Sequence, residues 1–158
     1  MINPAVIANA FLYIAAQEQI PITPQKLQQL VYCYYRENLR VTGKKLFQEP
    51  FVKGNNGPLL LSMDYKFGCF ENEPITKLWR DASGNADMLD IRATGFLSVQ
   101  QFHKVWSCYK KVPVYKIKKI LTEPGSAWDR AEENILRDKD ISLERTKTVL
   151  SSKKEITL

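Results

Sequence analysis

The chain has 158 residues, 44% hydrophobic and 25% charged, a balance that suits one soluble globular domain burying its own core without a disulfide or a metal. Its formal charge is +6, with 9 basic and 6 acidic side chains in residues 1–80 and 14 and 11 in residues 81–158, so each half is +3. That excludes a charged tail and favours an acidic partner, protein or nucleic acid.

The N-terminal stretch MINPAVIANAFLYIAAQEQ is a short apolar run broken by polar residues at helical spacing and lacking a basic leader. It predicts neither a signal peptide nor a membrane span, but an amphipathic helix over residues 4–18, with Asn3 as cap and Pro4 in the first turn. ITPQKLQQLVY repeats the device: Thr23 caps, Pro24 opens, and Ile22 and Leu27 form a hydrophobic staple. Leu27, Leu30, Val31 and Tyr34 make one apolar stripe, and Gly43 ends a helix over residues 24–41. The two helices form an antiparallel hairpin.

GNNGP at 54–58 predicts a tight loop, with Pro58 as first residue of a third helix reaching Phe67. Residues 69–95 have weak periodicity and read as irregular, with a short extended piece within 86–92. Phe96 or Ser98 opens a fourth helix bearing Phe102, Val105, Trp106 and Tyr109. Pro113 interrupts it, and a shorter helix carries Tyr115, Ile117, Ile120 and Leu121. Ser126 caps a short helix with Asp129 in the capping-box position, and a last helix runs from Ser142 to about residue 152 before a polar, fraying tail. The expected fold is mainly α: a compact multi-helix single domain over 1–158, its core about 4–152.

Candidate chemistry is sparse. Cys33, Cys69 and Cys108 are scattered and form no CxxC pair, which argues against a disulfide framework and for a reducing cytoplasm. His103 is the sole histidine, and Cys108, five residues on, lies ~140° round a helix from it, so no nucleophile–base pair forms there. One histidine and three separated cysteines do not make a zinc site. GNNGP lacks the spacing of a phosphate loop, and Asp87 and Asp90 are ordinary loop acids. Two features remain. Lys104, Lys110, Lys111, Lys116, Lys118 and Lys119 fall within a stretch holding no acid, fit for steering toward phosphates or an acidic protein. Tyr32, Tyr34 and Tyr35 precede Arg36 and Arg40; Tyr34 belongs to the core stripe, while Tyr35 and Arg36 are residue types that anchor interfaces.

ITPQKLQQLVYCYYRENLRVTGKKLFQEPF, then GNNGP, then LTEPGSAWDRA together resemble the Panacea domain, the SocA-like and GepA-like antitoxin family of bacteria and phages. The matching residues are Thr23, Lys26, Leu27, Leu30, Tyr32, Gly43, Leu46, Phe47, Gly57, Pro58, Gly125, Ser126 and Trp128. Glu123 stands where the family often has His, and Ala127 where it often has Pro. The resemblance implies a cytoplasmic, non-enzymatic antitoxin without cofactor. It would bind a protein toxin usually encoded by the adjacent gene, in some members a small alarmone synthetase-like enzyme. Candidate toxin-binding residues are Tyr35, Arg36, Lys110, Lys111, Tyr115, Lys118 and Trp128. Nucleic-acid binding with autoregulation, or delivery of the toxin to a protease, are the alternative readings.

Overall fold

A computed structural model describes residues 1–144 of the chain. The fold is mainly α, as the periodicity predicts. Helix α1 spans Pro4–Gln17, and Asn3 Oδ1 accepts from the Ala5 N–H at 2.9 Å. Helix α2 spans Pro24–Thr42; Thr23 Oγ1 accepts from the Lys26 N–H at 3.3 Å, and Gly43 closes it at φ 71°. Only a residue without Cβ takes that left-handed conformation cheaply, so the cap position selects glycine.

α2 is buried along its whole length from Lys26 to Leu39, on every side. It is the spine of the molecule, and α1, its partner in the predicted hairpin, packs against it. Helices α4 (Leu97–Tyr109), α5 (Val114–Leu121) and α6 (Asp138–Leu143), together with α1, pack around it. Aromatic rings fill the joints. Phe11 stacks on Phe102 with centroids 4.3 Å apart, Tyr34 meets Phe102 edge-on, and Tyr32 meets Phe51 edge-on at 5.0 Å. Such pairs add about 0.5–1.5 kcal/mol each beyond the area they bury.

Elsewhere the structure departs from expectation. Pro58 does not open a helix: it lies in β2 (Gly57–Leu59), which pairs antiparallel with β1 (Val52–Gly54) across the two-residue turn Asn55–Asn56. Helix α3 begins after it, spanning Leu61–Phe67. The outer side of β1 is engaged by the chain near residue 134, through the Lys53 N–H to Asn134 carbonyl bond (2.8 Å) and the Leu136 N–H to Phe51 carbonyl bond (2.9 Å). No ladder forms within residues 86–92; that stretch makes a single backbone bond, from the Leu89 N–H to the Val6 carbonyl. Ser126 and Asp129 form half of the predicted capping box: Ser126 Oγ accepts from the Asp129 N–H, but Asp129 Oδ2 accepts from the Gly125 N–H, the Ser126 N–H going to the Glu123 carbonyl, and together they close a turn, not a helix. The last predicted helix, Ser142 to about residue 152, meets only the end of α6, which closes at Leu143 with Glu144 as its C-cap; beyond Glu144 the prediction lies outside the described residues.

Residues 69–95 are irregular yet anchored. Asn9, fully buried on α1, donates through Nδ2 to the carbonyls of Trp79 (2.9 Å) and Asp87 (3.0 Å) and accepts from the Trp79 N–H. Among the described residues no helix is long and apolar enough to cross a membrane.

Candidate docking surface

α5 is short, and its composition divides it sharply. Ile117 and Leu121 are buried, while Tyr115 is 65% exposed and the lysines lie outward or at the margin. Two cations of the basic stretch are neutralised: Lys110 pairs with Glu18 at 2.8 Å and Lys104 with Glu37 at 3.6 Å. Lys118 Nζ donates to the neutral Asn56 side chain at 3.1 Å. Lys111, Lys116 and Lys119 have no acidic partner among the described residues. The result is a cationic face centred on an exposed phenol, the combination that steers an acidic partner and then anchors it.

The Lys118–Asn56 contact sets this face beside the hairpin tip. There Lys53 Nζ lies 4.4 Å from the centroid of the Trp128 ring, and Trp128 Nε1 donates to the Gly54 carbonyl at 2.8 Å. Trp128 is therefore half-buried and spends its only donor inside the chain, bracing the hairpin. Lys53 extends the basic surface to a second element, which the lysine run alone did not disclose.

Tyr35 and Arg36 are not surface residues. Both are 3% exposed. Tyr35 packs between Phe47 and Phe51 and donates its hydroxyl to Asp138 Oδ1 at 2.8 Å. Arg36 Nη1 donates to Glu144 Oε2 at 2.8 Å and Nη2 to the Tyr109 hydroxyl oxygen at 3.3 Å. Glu144 also accepts from the Tyr32 hydroxyl (2.6 Å) and the Ala127 N–H (3.0 Å), so one carboxylate ties α2 to the turn at 126–128. Burial raises the pKa of the Tyr32 and Tyr109 phenols and lifts the Cys33 thiol to about 11, leaving that thiol unreactive.

This network floors an open cleft of about 510 Å³, whose walls include Glu123, Ser126, Arg130 and Leu143. Burial, and then Glu144, raise the Glu123 pKa. Glu144 is engaged by three donors, two on Oε1 and one on Oε2. His103 is elsewhere, its Nε2 bonded to the Ile91 carbonyl at 2.7 Å, and Asp90 accepts from the Arg92 N–H within its own turn. Among the described residues no three metal-ligating side chains come together.

The motif residues take structural places. Thr23 and Gly43 are caps; Leu27, Leu30, Tyr32 and Phe47 are core, with Leu46 packed against it; Gly57 and Pro58 build the hairpin. Gly125, at φ 85°, and Ser126 shape the turn before Trp128. Lys26 is buried, its ammonium donating to the Val112 carbonyl, and burial lowers its pKa to about 8. In comparisons with protein families, curated proteins and solved structures, nothing matches this chain.

Proposed function

We propose that this chain is a cytoplasmic, Panacea-like antitoxin that neutralises a protein toxin by direct binding, without chemistry of its own. The α5 face supports the reading: it is a cationic surface around Tyr115 on which Lys111, Lys116 and Lys119 make no ion pair among the described residues, on a chain whose buried ionisable groups hold the fold. A standard interface covers roughly 800 Å² per partner. The ordered motif resemblance supports the choice of partner, the product of the adjacent gene, with a small alarmone synthetase-like enzyme as one candidate.

Co-expression tests it. The adjacent gene's product should arrest growth alone, and this chain should restore growth and co-purify with it; continued arrest with no complex overturns the reading. The lysines also favour a second reading, nucleic-acid binding. In that case affinity falls steeply with salt, by about 0.9 log unit per log unit of salt for each phosphate neutralised on duplex DNA. No binding to duplex at low salt removes that reading.

A further inference from the structure

A second, smaller cleft of about 300 Å³ lies on the other flank of the hairpin tip, between the start of α2 and α3. Its volume suits one side chain rather than a metabolite, at the low end of ligand pockets. Leu27, Met63 and Phe67 supply an apolar floor and Pro58 a wall. In a chain of net charge +6, the lining contains two carboxylates, Asp64 and Glu71, and no lysine, arginine or histidine. Neither acid has an ionic or hydrogen-bond partner among the described residues.

Gln29 adds an independent observation. It lines the cleft at 4% exposure, and its Nε2 donates to the Val114 carbonyl at 3.0 Å. That bond fixes the amide and leaves Oε1 buried without a donor. An unanswered buried acceptor costs about 1–3 kcal/mol, which an incoming donor recovers. Gln28 beside it shows the contrast, both its amide atoms being satisfied by Leu60.

We infer that this cleft receives an arginine side chain from a protein partner. The aliphatic stem and flat guanidinium cover Leu27, Met63 and Phe67, and the fork of donors reaches Gln29 Oε1 at the wall and Asp64 and Glu71 at the rim. Arginine fits better than lysine because it is planar, more weakly hydrated and has several diverging N–H groups. The start of α2 opposes a cation there, but with about half a charge against two formal negative charges. The cleft shares the hairpin tip with the α5 face, but Asp64, Glu71, Met63 and Phe67 lie off it and Lys111, Lys119 and Tyr115 do not line the cleft, so either proposal can fail alone.

The probe is N-acetyl-arginine methylamide, titrated into the full chain and followed by NMR at the Gln29 side-chain N–H₂ and the Met63 methyl. Saturable shifts at both are expected, with the neutral isostere N-acetyl-citrulline methylamide binding at least about 10-fold more weakly. Asp64→Asn combined with Glu71→Gln, both at exposed positions, should weaken the arginine probe about 3- to 10-fold, the usual scale for two exposed ion pairs. Equal binding of the two probes, unchanged binding to the double variant, or absence of shifts at Gln29 and Met63 would each overturn the assignment.

Discussion

At the residue scale, Glu144 has the largest predicted effect. Its side chain is 11% exposed and that of Arg36 is 4%, so removing one partner strands the other in a poorly solvated place. Glu144→Ala should cost about 3–5 kcal/mol in urea unfolding, because it orphans the Arg36 guanidinium, the Tyr32 hydroxyl and the Ala127 N–H together. Pairing it with Arg36→Met should recover part of that loss, since the stranded charge goes, but the Tyr32 and Ala127 donors still lack an acceptor. Lys26 makes a second, opposite case. Its pKa, lowered by burial from 10.5 to about 8, means the unfolded chain holds more protons than the folded one between those values. Stability from this group is therefore least below about pH 8 and rises with pH through that window. Cys33 works against it: raised from 9.0 to about 11, its contribution is lost as pH climbs above 9. Comparing the chain with Lys26→Met separates the two. The difference in stability between them should shrink from pH 8 to pH 10, and a constant difference would show that the ammonium is not desolvated.

At the element scale, what the sequence predicts correctly is local and what it misses is long-range. Caps at Asn3, Thr23 and Gly43 involve partners within four residues, so a single stretch of chain specifies them. Pro58 is different. A fixed φ near −65° suits the first turn of a helix or a strand that needs no N–H from that residue, and the choice is settled by pairing with β1 and by the chain near Asn134 that engages it. Tyr35 and Arg36 read as interface candidates for the same reason: their partners, Asp138 and Glu144, lie 103 and 108 residues away. The irregular segment 69–95 is likewise held by distant contacts, Ile75 to Ile22, Leu89 to Val6 and Ile91 to His103, with Asn9 making three of the bonds. Asn9→Ala removes three hydrogen bonds and should cost about 2–3 kcal/mol at roughly 1 kcal/mol each. Hydrogen exchange should quicken at the Trp79 and Leu89 amides while amides in the middle of α2 stay protected; uniform loss of protection would instead mean that α1 and the segment are not separable units.

For the whole molecule, the division of labour is between a spine whose polar side chains mostly bond internally, Gln29 Oε1 excepted, and a surface left electrostatically unbalanced. Polar residues on α2 are consumed inside: Gln28 by Leu60, Arg36 by Glu144, Asn38 by the Lys44 carbonyl. Interior lysines and phenols are thus poor indicators of function, and the functional signal lies in cations that the fold does not neutralise. That distinction yields the sharpest test of the α5 face. Lys111 and Lys119 are exposed and unpaired among the described residues, so Lys111→Glu with Lys119→Glu should change folding stability by no more than about 0.5 kcal/mol. Association with the adjacent gene's product should slow about 10- to 100-fold at low salt, and its salt dependence should flatten, because steering acts on the encounter rate. Tyr115→Ala should act on the other rate: removing a 65%-exposed aromatic anchor should raise dissociation by the equivalent of about 1–2 kcal/mol and leave the salt dependence intact. Surface plasmon resonance at two salt concentrations separates these outcomes. If the charge-reversed and parent chains associate equally fast at low salt, docking takes place on another face.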